Sequence, residues 1–167
     1  MSSLGTPIGD DDIARALPGI TIVSYPRLAS MDSLPFESQG RLVLLYLTED
    51  ALSGHWTCLI KKGPTITFHD AYGLKPDSEL RWLTKAKRQW LHEQEPFLTR
   101  LLKRSGSTVV YSPYHLQSNS HAVATCGKHC IARLLNKDMG IDEFAMWLKS
   151  QGRPDEVVEA IYEGLQK

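Results

Sequence analysis

The sequence predicts an α+β fold in which helices pack around a mixed, mostly antiparallel central sheet. Three observations carry that expectation. Leu42 to Leu47 is an unbroken apolar run of strand length. Two further strand-like runs, Trp56 to Lys61 and Thr65 to Asp70, are joined through Lys61-Lys62-Gly63-Pro64. Beyond Gly73 the apolar residues change from strand to helical spacing.

Taken in order, Asp10-Asp11-Asp12 precedes Ile13, Ala16 and Leu17, an acidic start to a short helix that Pro18-Gly19 ends. Leu42 to Leu47 follows the turn-like Ser38-Gln39-Gly40 and reads as a strand buried on both faces, central in the sheet. The next two runs form a hairpin. Leu80, Leu83, Trp90 and Leu91 share one face of a helix running from about Asp77 to Pro96, and a second helical piece continues to about Arg104. Thr108 to Ser112 is β-branched and aromatic, a further strand. After a polar loop, Leu116 to Thr125, the spacing of Cys130, Ile131, Leu134 and Leu135 predicts a buried helix from Cys126 to about Asn136. Two helices close the chain, one capped by Asp142 and carrying Phe144, Trp147 and Leu148, the other started by Pro154 and carrying Val157, Val158, Ile161 and Leu165.

The chain has 167 residues, 42% of them hydrophobic, with no internal repeat, and reads as one domain over residues 1–167. Nineteen basic residues balance nineteen acidic ones, so no whole-molecule field draws it to nucleic acid or an anionic membrane. A DNA partner would need a local patch. Lys85, Lys87, Arg88, Arg100, Lys103 and Arg104, interleaved with Trp82 and Trp90, are read instead as a solvated helix face with its aromatics in the core. No apolar run is long enough to cross a bilayer, and residues 1–12 lack the regions of a secretory signal, which predicts an intracellular protein. Three cysteines do not make a disulfide framework, so their thiol chemistry is what matters.

If the hairpin turns about the Lys62/Gly63 peptide, His55 lies directly across from Asp70, at a Cβ separation of roughly 5 Å. A carboxylate there accepts one imidazole proton and leaves the other ring nitrogen as a base. The matching nucleophile is Cys126, because Thr125-Cys126-Gly127 falls where a loop enters a helix, and backbone N–H groups there favour a thiolate. Gly127 permits close approach of a substrate backbone, and Gly54 and Trp56, either side of the histidine, are the other candidate substrate contacts. Cys58 and Cys130 read as packed core thiols, and His69, pointing to the opposite strand face from Asp70, as a bystander. An alternative is a zinc cluster of Cys126, Cys130, His121 and His129, although the three-residue gap between its cysteines matches no common structural zinc spacing. No metal or cofactor is expected.

In chain order, Gly54-His55-Trp56, Phe68-His69-Asp70-Ala71-Tyr72-Gly73, Gln117 and Thr125-Cys126-Gly127 resemble the adenovirus maturation protease and its relatives in virophages, polinton-type elements and large DNA viruses, which share a core with the SUMO-specific proteases. The resemblance spans residues 10–135. It implies that fold, the roles of nucleophile for Cys126, base for His55, orienting carboxylate for Asp70 and oxyanion donor for Gln117, and location in the host cytoplasm or virion. Gln117 lies nine residues before Cys126 where the family has six or seven, so Asn119 competes for its role. The adenovirus enzyme's DNA and peptide activators are not carried over to this neutral chain. The expected activity is a thiol endopeptidase that processes a viral or mobile-element capsid or polyprotein precursor after glycine, the glycine preference resting on resemblance alone. Alternatives are a ubiquitin-like-modifier isopeptidase, an effector-type acetyltransferase using the same site, and a non-enzymatic zinc-stabilised interaction module.

Overall fold

The computed structural model describes residues 4–48, 54–119 and 124–167. It is an α+β protein whose five strands form one mixed sheet in the order β1-β2-β3-β4-β5, with helices on both faces. The elements are α1 (Asp10–Ala16), β1 (Ile22–Ser24), β2 (Arg41–Leu47), β3 (Gly54–Lys62), β4 (Thr65–His69), α2 (Lys85–Trp90), α3 (Phe97–Arg104), β5 (Thr108–Tyr111), α4 (Cys126–Leu135), α5 (Ile141–Gln151) and α6 (Pro154–Leu165). The two longest pairings, β2 with β3 and β3 with β4, are antiparallel, and the outer pairings of β1 and β5 are parallel.

All seven residues of β2 are buried, because successive side chains point to opposite faces of the strand and both faces are covered; Arg41 at its start pairs with Glu37. Leu42, Leu44 and Tyr46 join one core with Phe68, Leu98 and Leu101, beneath α3. Val43, Leu45 and Leu47 join the other with Trp56, Ile131 and Leu134, beneath α1 and α4. Helices α5 and α6 then cover the back of α4, where Ala132 meets Phe144, Leu148 and Val158. Phe68 is 1% exposed, and truncating such a ring to alanine costs about 3–5 kcal/mol.

Three sequence expectations need correction. The hairpin turns about Gly63-Pro64 rather than Lys62/Gly63, pairing Lys62 with Thr65 and Cys58 with His69. Proline fixes its own φ negative, and Gly63 takes φ 58°, so the turn has its left-handed residue first, as a II′ hairpin requires. The single helix expected from Asp77 to Pro96 is two pieces, a 3₁₀ turn over Ser78–Trp82 and α2, separated where Thr84 caps α2 by accepting a hydrogen bond from the Lys87 N–H. Trp82 and Trp90 are not core residues: they are 59% and 61% exposed, and the Lys87 ammonium lies 4.7 Å from the Trp90 ring centroid. A smaller difference is that α5 is capped at Gly140, with Asp142 inside its first turn. Among the described residues, no helix is long and apolar enough to cross a membrane.

Candidate active site

Although the register differs from the expected one by two residues, a shift of two preserves the face. His55 and Asp70 therefore still meet, diagonally rather than directly opposed. Nε2 of His55 lies 2.9 Å from Oδ1 of Asp70, and both residues are buried. Tyr72, in the turn that follows β4, stacks its ring on the imidazole at 4.7 Å and 16°. The backbone N–H of Tyr72 also donates to Oδ1 of Asp70 at 2.8 Å. Asp70 is thus fixed by two donors, and the imidazole between Asp70 and a flat ring cannot turn away.

With Nε2 bonded to Asp70, Nδ1 of His55 is the nitrogen that pairs with the Cys126 thiol. Cys126 is the first residue of α4, where backbone N–H groups are free of intrahelical partners, and its Sγ accepts from the Trp56 N–H at 3.5 Å. Burial pushes the thiol up, but the bond to His55, the imidazolium charge and the N–H groups of Trp56 and Gly127 outweigh it, so the Cys126 pKa falls below the ordinary thiol value. For His55, burial opposes the charged ring, while the Glu79 and Asp70 carboxyls and Cys126 raise its pKa well above the ordinary histidine value. Both shifts run in the direction that favours a thiolate beside an imidazolium.

Two cavities border this sulfur. One, of about 290 Å³, is lined by His55, Tyr72, Glu79, Trp82, Gln117 and Cys126, among others. The other, of about 670 Å³, runs past Ile8, Arg27, Trp56 and Gly127. Thr48, Gly54, Ala124 and Cys126 border both, so a single cleft passes over the thiol.

Gln117 is 2% exposed and borders the cleft with Cys126 and His55, its loop pinned by the N–H groups of Leu116 and Gln117, which both donate to the Ala71 carbonyl. Asn119 is exposed and borders neither cavity, so of the two amides the fold brings Gln117 to the cysteine. Gly54 lines the cleft and is glycine because a Cβ there would stand 1.8 Å from the Tyr46 carbonyl oxygen. Gly127 has a different reason than expected: the space a side chain would take is filled by Ile8, 2.8 Å from the ideal Cβ position, and by Trp56. The Trp56 indole N–H donates to the Ile8 carbonyl at 3.2 Å, so Trp56 forms a cleft wall tied to the N-terminal segment.

Cys58 and Cys130 are buried and hydrogen-bonded to each other, and all three cysteines are free. His69 lies on the other face of β4, edge-on to Phe144, and burial with the nearby Arg133 charge pushes its pKa well down. The zinc reading loses its geometry. His129 bonds Asp155 at 2.8 Å, Cys130 bonds Cys58, and His121 lies outside the described residues. Among the described residues, the side chains close enough to share an ion are His55, Asp70 and Glu79. Glu79 is the participant that sequence reasoning missed. It is 7% exposed, with Oε1 3.3 Å from Nε2 of His55, and burial together with Asp70 raises its pKa well above the carboxylate range. No motif announces it, because a 3₁₀ turn placed by the tertiary fold brings it in.

No family model matches the sequence. Over 148 residues, covering 84% of each chain, the sequence is 30% identical to the Sputnik virophage protein named "Uncharacterized protein V9". At that identity over that coverage, the chain belongs to the family of the Sputnik virophage V9 protein.

Proposed function

We propose that this chain is a cysteine endopeptidase. The observation that carries the reading is the buried Cys126–His55–Asp70 array whose cysteine borders two adjoining cavities, which offer room for an extended peptide beside a nucleophile. The Cys126 thiolate attacks the scissile carbonyl carbon, and the electron pair moves onto the oxygen. Gln117 and the Cys126 backbone N–H bind that oxyanion. The His55 imidazolium gives its proton to the leaving amine, a thioester remains on Cys126, and His55 then takes a proton from the water that hydrolyses it. Asp70 holds the tautomer throughout. Gly54 and Trp56 bound the path of the substrate backbone.

A viral capsid or polyprotein precursor as substrate, cut after glycine, is supported by the motif resemblance and by the virophage relative. The test is reaction of the purified protein with a glycine-ended electrophilic peptide, followed by location of the adduct. Stoichiometric modification of Cys126, lost in Cys126→Ala and His55→Ala, is the expected result. Labelling of Cys58 or Cys130 instead, or no labelling at all, overturns the assignment.

A further inference from the structure

Oδ1 of Asp70 receives two N–H donors, from His55 and Tyr72, whereas Oδ2 is buried and receives none. Both Glu79 oxygens are likewise buried and accept no hydrogen bond among the described residues, although Oε1 lies 3.3 Å from Nε2 of His55. The two carboxyls are in contact, and one atom from each of His55, Asp70 and Glu79 lies within 4.8 Å of the others. Three orphaned acceptors in one buried site are costly, and two adjacent carboxylates add mutual repulsion. A single proton between the acids satisfies Oδ2 of Asp70 and removes one charge. It belongs to Glu79, because Asp70 already has two donors to stabilise its negative form, whereas the one donor near Glu79, Nε2 of His55 at 3.3 Å from Oε1, is already bonded to Asp70.

We infer that Glu79 is a neutral carboxylic acid that donates its proton to Oδ2 of Asp70 and thereby locks the carboxylate in the orientation that serves His55. Glu79 is a positioning residue, acting through Asp70. The site then holds one carboxylate rather than two, and the imidazolium is sustained by Asp70 and Cys126 without the Coulombic help that a charged Glu79 would give. The titratable groups facing Glu79 are His55 on β3, Asp70 after β4, Cys126 on α4, and the phenols of Tyr46 and Tyr72.

The role in turnover rests on the endopeptidase reading; the protonation state does not, so two measurements separate them. Infrared difference spectra at neutral pH, wild type minus Glu79→Gln, should show the carbonyl band of a neutral carboxylic acid. Only carboxylate bands in that difference would overturn the inference whether or not the protein is an enzyme. In peptide hydrolysis, Glu79→Ala should lower kcat about ten- to a hundredfold with KM little changed, as an unpaired oxygen frees Asp70 to rotate. Glu79→Gln supplies a donor without a charge and should restore most of that loss, with the acid limb of the pH profile in place. A Glu79→Gln variant as impaired as Glu79→Ala, or one whose acid limb moves to lower pH as it would on losing a negative charge beside His55, overturns it. So does a stoichiometric divalent ion in the purified protein that Glu79→Gln releases, because the three side chains would then be ligands. Glu79→Gln is nearly isosteric, so the test does not depend on the alanine variant folding.

Discussion

Among the described residues, two histidine–aspartate pairs of almost the same length behave oppositely. His55 and Asp70 are 2.9 Å apart, His129 and Asp155 2.8 Å. The His55 pKa is pushed up, whereas burial pushes that of His129 down despite its aspartate. The difference lies at the far side of each ring. His55 presents its second nitrogen to a thiol at a helix start, with a second carboxyl close by. Nδ1 of His129 faces no partner, and its Asp155 is shared with the Thr125 hydroxyl and the Ser118 N–H. On the proposed function, one pair is an acid–base device; the other is a brace between α4, α6 and the loop behind Gln117. A His–Asp hydrogen bond is therefore no signature of catalysis until the groups around both ring nitrogens are known.

The comparison breaks most sharply by mutation. Cys126→Ala and His55→Ala should remove turnover of a peptide substrate altogether, while His129→Gln should keep kcat within about tenfold and instead lower stability by about 1–3 kcal/mol, the usual cost of orphaning a buried partner. Equal loss of activity in His55 and His129 variants, measured by steady-state kinetics beside thermal melts, would erase the distinction. Next in size, Asp70→Asn should cost up to about four orders of magnitude in kcat through loss of tautomer control. Asp155→Asn should act on melting temperature far more than on kcat.

Gln117→Ala should lower kcat about 10²–10³-fold with KM little changed, because an oxyanion donor acts on charge that appears only in the transition state. Asn119→Ala, read in the same assay, should be nearly silent. The smallest effect contrasts two more carboxyls. Asp155 accepts three hydrogen bonds and its pKa is lowered despite partial burial, whereas Glu93 accepts one, from the Leu47 N–H, and burial raises it to about 7. A carboxyl raised in the folded state favours folding most below its unfolded value, and that contribution is lost as pH rises through about 7. Glu93→Gln keeps the acceptor and removes the titration. Melting curves should show the variant gaining on wild type between about pH 4.5 and pH 7, by on the order of 2 kcal/mol at the upper end. A constant offset across that range would place the Glu93 titration elsewhere.

The sequence by itself determined the α+β class, the hairpin, the buried helix beginning at Cys126, and the meeting of His55 with Asp70. These are encoded locally, as apolar period, turn residues and capping chemistry, and the period-two pleat makes the shared face of His55 and Asp70 survive a register error of two. The tertiary structure alone decided the rest. The parallel pairings of β1 and β5 join segments distant in sequence, and the three residues of β1 are too few to show a period. Gln117 over Asn119 depends on where a loop is pinned, at the Ala71 carbonyl, rather than on spacing from the cysteine. Glu79 enters the site from a 3₁₀ turn whose sequence reads as ordinary amphipathic helix, and the exposure of Trp82 and Trp90 follows from the same break. What separates the groups is range: periodicity and caps act over a few residues, whereas the charge state of a buried site depends on every element that closes over it.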